Sequence, residues 1–310
     1  MGNVERWRRG LLPGLVGLVA GLSLGTSRPL TGETPVAPKE AVAPQALAAF
    51  QPEVPAGRGL DANLYMQTAA EYRACCYQAY NLAARRLREA RGAAGRNGKR
   101  PAVVLDLDET VLDNAGFEAM LVRSGLAFDQ RLWDLWEEKY ADHVGLIPGA
   151  KEFLREAERL GVTPVFISNR SEKFRPSTLR ALGRLAIRVR RPGQLRLLTD
   201  TGDKTQRRRE VEKEFQVLLY VGDNLRDFDE RFRCDVDNTR EGTRTTDPAR
   251  LAAAIRGRKD QVDQTRGKWG AEWVILPNPA YGEWTRPLGL GKRDLDRLAP
   301  VAPKVPGHGP

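Results

Sequence analysis

The sequence predicts an α/β fold in which helices pack on both faces of a parallel sheet. Two observations point to this class. Short apolar runs bounded by turn residues alternate along the chain with longer segments of helical periodicity. The first of these runs is apolar at every position but Asp106, as expected of a strand that is buried on both faces of a sheet.

The first long helix is predicted between Leu64 and Arg91, a segment without proline or glycine. Tyr72, Cys76 and Leu87 belong to an apolar stripe at three-to-four spacing, which gives the helix one buried face. Three glycines then interrupt the chain. The apolar run from Ala102 to Leu107 follows and predicts the first strand.

The rest of the folded part repeats this alternation. Further strands are predicted at Thr163–Ile167, Leu195–Leu198, Val217–Val221 and Trp273–Leu276. The helices between them are predicted at 148–160, 172–182 and 205–215, with another at 132–140.

The two chain ends differ in composition from this folded part. A basic start and an apolar run within residues 1–25 have the proportions of a secretory signal, and they are too short for a transmembrane span. Residues 26–59 form a Pro/Ala-rich linker and residues 291–310 a flexible tail. We therefore expect one folded domain at 60–290 and an exported protein, with an uncleaved N-terminal anchor as the open alternative.

Composition restricts the chemistry of the protein. Fifty basic and forty acidic residues give a net charge of +10, which favours anionic partners. Twelve basic and two acidic residues lie between Lys173 and Arg209, so this stretch alone carries that excess. Two histidines and three cysteines disfavour zinc sites built from those residues, and leave carboxylates as ligands of a hard cation.

Polar side chains follow three of the predicted strands. In open α/β sheets, ligands bind outside the carboxyl ends of the strands. Two carboxylates crowded at one such end repel each other unless a cation, a proton or a reaction needs them. The set consists of Asp106, Asp108 and Thr110 after the first strand, Ser168, Asn169 and Arg170 after the second, Asp223, Asn224 and Asp227 after the fourth, and Lys204 between the last two groups.

This ordered set resembles the haloacid dehalogenase (HAD) superfamily, subfamily IIIB, and within it the bacterial class C acid phosphatases and 5′-nucleotidases. The resemblance covers about residues 60–290. It rests on Val103–Asn114 (VVLDLDETVLDN), Phe166–Arg170 (FISNR), Lys204, Val221–Leu225 (VGDNL) and Val274–Pro279 (VILPNP). It implies a HAD-like Rossmannoid sheet with a small helical cap at about 114–147.

The resemblance also implies a magnesium-dependent phosphomonoesterase. Asp106 would be the nucleophile that forms an aspartyl-phosphate, and Asp108 the general acid and base. Mg²⁺ would be held by the side chains of Asp106 and Asp223 and by the backbone carbonyl of Asp108, with Asp227 in support. Substrate phosphate would contact a set of polar side chains, namely Thr110, Ser168, Asn169 and Lys204.

The sequence leaves the roles of several residues undecided. Asn169, Arg170, Asn224 and Arg208 could contact phosphate or make structural hydrogen bonds. Trp133 and Trp136 have the spacing of core residues, although one of them, or Tyr281, could stack on a nucleobase or aryl group. His143 is expected on the surface or in the cap. Cys75, Cys76 and Cys234 are expected as buried thiols, with one bridge to Cys234 as the alternative.

Other function classes compete with the phosphatase. A non-catalytic storage or ligand-binding protein on the same fold would normally lose the nucleophile, and Asp106 is present. A nucleic-acid binder would use the positive charge, but no recognition motif or basic-aromatic set is found. A phosphotransferase remains open, because alcohols can capture an aspartyl-phosphate. The expected partner is a nucleoside monophosphate or an aryl phosphate.

Overall fold

The structure, a computed structural model, describes residues 59–93, 98–234, 236–238, 243–245 and 247–288. The segments assigned to a signal, to nearly all of the linker and to the tail lie outside these ranges. In the described part of the chain, no helix has the length and apolarity needed to cross a membrane.

Strands and helices alternate through most of this region. The strands are β1 (Arg100–Leu105), β2 (Leu112–Asp113), β3 (Gly145–Leu146), β4 (Thr163–Ser171), β5 (Leu195–Leu198), β6 (Phe215–Gly222), β7 (Asp237–Asn238), β8 (Thr243–Arg244) and β9 (Trp273–Ile275). The helices are α1 (Leu60–Thr68), α2 (Ala70–Ala93), α3 (Ala115–Ser124), α4 (Gln130–Lys139), α5 (Ala150–Arg159), α6 (Arg175–Arg184), α7 (Thr205–Glu214) and α8 (Pro248–Gln264).

Five strands form one parallel sheet in the order β5-β4-β1-β6-β9, with β1 at the centre. Successive residues of β1 point to opposite faces. Val103 and Leu105 enter the larger apolar cluster, which contains the buried faces of α2 and α5. Ala102 and Val104 pack with Val211 of α7 on the other face. The predicted α/β class, with helices on both faces of a parallel sheet, is confirmed.

Most element ends differ from the prediction by one to three residues, and two differences are larger. The single helix expected at 64–91 is two helices separated by the extended residue Ala69. The Thr68 hydroxyl donates to the Leu64 carbonyl at 2.7 Å, a local bond that competes with helix continuation. Strand β4 runs on to Ser171, because its last residue pairs with Leu198 of β5.

Helices α3 and α8 were not predicted. The N-terminus of α8 nevertheless carries a typical sequence signal. The Asp247 side chain accepts a hydrogen bond from the Ala249 N–H as an N-cap, and Pro248 occupies the first turn.

An insertion with its own pair of strands lies between β1 and α5. Strands β2 and β3 pair antiparallel, and α3 and α4 lie between them along the chain. Phe117 of α3 contacts Trp133 and Trp136 of α4 edge-on or tilted, with ring centroids 5.1 and 5.7 Å apart. These contacts fix the two helices against each other. The insertion covers about the range 114–147, in which the resemblance predicts a cap.

Candidate active site

A cleft of about 580 Å³ lies where the carboxyl ends of the central strands meet the insertion. Six of the eight side chains predicted from the sequence line it, namely Asp106, Asp108, Asn169, Lys204, Asp223 and Asp227. Thr110 and Ser168 do not line it and are fully buried. The strand-end rule therefore brings together residues that are up to 121 positions apart in the sequence.

Three carboxylates form a compact cluster at the floor of the cleft. One oxygen each from Asp106, Asp223 and Asp227 lies within 4.8 Å of the others. The position of Asp227 depends on Gly222, because a Cβ there would lie 2.4 Å from the Asp227 Oδ2. That oxygen also accepts a hydrogen bond from the Asn224 N–H at 2.9 Å. The turn after β6 thus folds Asp227 back onto the strand end.

Lys204 is the cation of this cluster. Its Nζ lies 2.6 Å from the Asp106 Oδ1 and 2.7 Å from the Asp227 Oδ1, and the side chain is buried. Burial lowers the pKa of Lys204, but the two carboxylates outweigh burial and raise it. The lysine is therefore charged, and its two ion pairs hold Asp106 in place at the carboxyl end of β1.

One ammonium does not balance three carboxylates. Burial, followed by the charge of Asp227, raises the pKa of Asp223 to about 7. Burial likewise raises the pKa of Asp106 well above its usual range, against the effect of Lys204. A bound divalent cation would favour the ionised form of both groups. Carboxylate oxygens suit hard cations, so the donor set fits a metal of this kind.

Asp108 is held by a separate network from β4 and the insertion. Its Oδ1 accepts hydrogen bonds from Arg170 Nε at 2.8 Å and from Asn114 Nδ2 at 2.9 Å. The Asn114 Oδ1 accepts in turn from Arg170 Nη2 and from Trp136 Nε1, both at 3.0 Å. Arg170 is fully buried and makes structural hydrogen bonds, one of the two roles left open by the sequence. This network fixes the orientation of the Asp108 carboxylate.

Thr110 and Ser168 face other residues of the site instead of the cleft. The Thr110 hydroxyl donates to the Asp223 Oδ1 at 3.0 Å, and its carbonyl accepts from the Tyr80 hydroxyl. The Ser168 hydroxyl accepts from the Arg170 N–H at 3.0 Å and lies 3.4 Å from the Asp108 Oδ2. The side chain of Ser168 points inward because β4 continues past Ile167.

Asn169 is exposed at the cleft. Its amide bonds the Gly202 carbonyl at 3.1 Å and accepts from Arg207 Nη2 at 2.7 Å. Asn224 also lines the cleft. Arg208 does not, and its guanidinium bonds the backbone carbonyls of Arg226 and Asp227.

The aromatic residues divide between core and cleft. Trp136 is buried in the core, whereas Trp133 and Tyr281 line the cleft. His143 is exposed and does not line the cleft, and its ring lies tilted against that of Trp136, with the centroids 6.4 Å apart.

The three thiols form no disulfide with one another. Cys76 and Cys234 are buried as predicted, but Cys75 is exposed because it lies beside the buried stripe of α2 and not on it.

Asn278 is a site residue whose role is not predicted from the sequence. Its Nδ2 donates to the Asp223 Oδ2 at 2.9 Å. Asn278 follows β9, which pairs with β6, and this pairing brings it beside Asp223, the residue that follows β6. The strand-end rule, applied to the fifth predicted strand, is the signal that would have identified it.

Comparisons with known proteins agree with this geometry. The family model described as HAD superfamily, subfamily IIIB (Acid phosphatase) matches residues 36–284. A class C acid phosphatase structure from Bacillus anthracis is 31% identical, with a TM-score of 0.63, and the match covers 79% of this chain and 98% of that one. A tungstate-bound structure of the class C acid phosphatase from B. anthracis matches at 30% identity, with a TM-score of 0.65 and the same coverage. The chain therefore belongs to the acid phosphatases of HAD subfamily IIIB and is a phosphomonoesterase.

Proposed function

We propose that this protein is a magnesium-dependent acid phosphatase that works through an aspartyl-phosphate on Asp106. The observation that carries this proposal is the arrangement at the end of the central strand. Asp106 and Asp108 both line the floor of the cleft, and the Lys204 Nζ lies 2.6 Å from the Asp106 Oδ1. A carboxylate that attacks a phosphate ester meets like-charge repulsion, so fixed positive charge at this point is required.

In the first half-reaction an Asp106 oxygen forms a bond to phosphorus while the bond from phosphorus to the alcohol oxygen breaks. Asp108 gives its proton to the departing oxygen. In the second half-reaction Asp108 takes a proton from water as the water oxygen attacks phosphorus. Inorganic phosphate leaves, and the Asp106 carboxylate is regenerated.

Asp108 must serve both half-reactions from one position. Arg170 and Asn114 each donate a hydrogen bond to its Oδ1. The Oδ2, which lies 3.4 Å from the Ser168 hydroxyl, is therefore the oxygen that gives up the proton in the first half-reaction and accepts one in the second. Arg170 and Asn114 are thus positioning residues for the acid and base.

The residues that would hold Mg²⁺ are Asp106 and Asp223, through their side chains, and Asp108, through its backbone carbonyl. When bound, the ion supplies positive charge that stabilises the transferring phosphoryl group. Thr110 and Asn278 each donate to one oxygen of Asp223 and fix its orientation. Asp227 supports the site through Lys204.

Lys204 and Asn169 are the proposed side-chain contacts of the phosphate, since both line the cleft. The hydroxyls of Ser168 and Thr110, which point to Asp108 and Asp223, act by holding those carboxylates.

The cleft has the size of a typical small-molecule site and contains the rings of Trp133 and Tyr281. We therefore include nucleoside 5′-monophosphates and aryl phosphates among the substrates. Class C acid phosphatases are typically exported, which supports a signal role for residues 1–25.

Phosphate release tests this proposal. Protein without residues 1–25 would be assayed on an aryl phosphate and on nucleoside 5′-monophosphates, with Mg²⁺ or with EDTA, beside the Asp106→Asn variant. We expect release only from the wild type with the metal present. Equal release by both proteins, or release insensitive to EDTA, would contradict the mechanism.

A further inference from the structure

A second wall of the cleft carries polar groups that the phosphatase mechanism does not use. Helices α1 and α3 pack side by side, and the Gln67 side chain of α1 donates to the Ala115 carbonyl at 2.8 Å. At the other end of this helix pair, Gly59, Asn63 and Val122 lie close together. A Cβ on Gly59 would be 3.6 Å from the Val122 side chain and 3.8 Å from the Asn63 amide. Glu118 lies one helical turn before Val122, on the same face of α3.

Glu118 and Asn63 line the cleft, and we call them the acceptor corner. Within the described ranges, the Glu118 carboxyl has no hydrogen-bond or ion-pair partner. The Asn63 Nδ2 donates to the Gly59 carbonyl at 3.0 Å, but its Oδ1 has no donor, although the residue is only 5% exposed. The groups left over in this corner are therefore hydrogen-bond acceptors.

Two other polar residues of the same cleft, Gln130 and Asn169, have hydrogen-bond partners within the protein. The Gln130 amide donates to Asp134, and the Asn169 side chain bonds Gly202 and Arg207. The acceptor corner is instead surrounded by an apolar wall, whose cleft-lining members are Leu121, Val122, Leu126, Phe128 and Trp133. Glu118 is half-buried, and desolvation raises the pKa of its carboxyl to about 7. The Asn63 Oδ1 is the fully buried acceptor of the pair, and an unpaired buried acceptor is costly and calls for an explanation.

We propose that the acceptor corner binds the alcohol portion of the substrate and selects phosphomonoesters whose leaving group carries an N–H donor. The donor can belong to an amino-substituted aromatic ring or to an alkylammonium group. In either case the N–H bonds the Glu118 carboxyl, and the carbon skeleton packs on the apolar wall. This inference rests on the proposed phosphatase function and adds a specificity determinant to it.

The enzyme would discriminate between substrates with and without an N–H donor because the Glu118 carboxyl has no partner within the described residues. A site built to bond an N–H rejects the analogue without it, because the acceptor then stays desolvated and unsatisfied. We expect about a tenfold or larger preference in kcat/KM, which corresponds to about 1.4 kcal/mol or more.

Two matched substrate pairs test the inference and distinguish the two sources of the donor. The aromatic arm compares adenosine 5′-monophosphate with purine riboside 5′-monophosphate, which lacks the amino group. The aliphatic arm compares 2-aminoethyl phosphate with ethyl phosphate. We expect the wild type to prefer the amino compound in at least one arm, and the Glu118→Met variant to have a preference near one in that arm.

Glu152→Met is the matched control, because Glu152 is an exposed glutamate of α5 outside the cleft. It should keep the wild-type preference. Thermal unfolding checks that Glu118→Met folds, and we expect no loss of Tm, because the substitution removes a half-buried, desolvated carboxyl without a partner in the described residues.

A wild-type preference near one in both arms would overturn the inference, as would a preference that survives Glu118→Met. Both results leave the phosphatase proposal intact as long as phosphate release depends on Asp106. Failure of that proposal would appear separately, as release that the Asp106→Asn variant retains.

Discussion

Replacing Arg170 by lysine should damage catalysis in a way that depends on the leaving group. Arg170 donates to Asp108 and to Asn114 through a rigid fork, and its side chain is fully buried. A lysine ammonium keeps the charge but lacks the planar fork that holds both partners. Asp108 would then lose part of the network that orients it.

The size of the effect follows from what the network supports. General acid catalysis contributes on the order of 10²–10⁴ in rate, so a misplaced Asp108 should lower kcat for an alkyl phosphate by about 10². A nitrophenyl phosphate has a leaving group that needs little protonation, so its kcat should fall by less than about tenfold. Loss of one charge-assisted hydrogen bond should lower the free energy of unfolding by about 2 kcal/mol.

The assay compares kcat for the two esters in wild type and Arg170→Lys, with urea denaturation as the check on folding. Arg159→Lys is the matched control, because Arg159 is an exposed arginine of α5 that pairs with Glu156. It should leave both rates unchanged. An equal loss for alkyl and aryl esters in Arg170→Lys would refute the positioning role.

Three further predictions concern the surroundings of the site. Asn278→Ala removes the hydrogen bond to one oxygen of Asp223, which would hold the metal. In a titration of phosphate release, half-maximal activation should therefore need about 10–100-fold more Mg²⁺ than in the wild type. An unchanged titration would show that Asn278 does not orient Asp223 for the metal. Gly222→Ala places a methyl group 2.4 Å from the Asp227 Oδ2, so activity and Tm should both fall; a fully active variant would contradict the packing. Burial raises the pKa of Glu137 from 4.5 to about 7, so the folded state holds a proton that the unfolded state releases. Stability should therefore fall by up to about 3 kcal/mol as pH rises from 4.5 to about 7. Urea denaturation should show a flatter profile for Glu137→Gln, and parallel profiles would contradict this assignment.

The sequence predicts the strand ends well because parallel strands leave a strong local signal. The apolar runs before Asp106 and Asp223 identify buried strands, and topology then brings their ends to one edge of the sheet. The residues that this rule places directly, Asp106 and Asp223, are brought together as expected.

Other parts of the site depend on packing that has no local signal. The orientation of Ser168 depends on the continuation of β4 along β5, and that of Thr110 on the turn that carries it against Asp223. Glu118 reaches the cleft only because α3, a helix the sequence did not predict, packs against α1. Such contacts join residues distant in sequence, and periodicity along one segment does not contain them.

Mass spectrometry of a rapidly acid-quenched reaction tests the central claim most directly. The wild type, mixed with excess phosphomonoester and Mg²⁺, should carry one covalent phosphoryl group, and peptide mapping should locate it on Asp106. Asp106→Asn should carry none under the same conditions. A phosphoryl group on a different residue, or turnover by Asp106→Asn at the wild-type rate, would contradict the account.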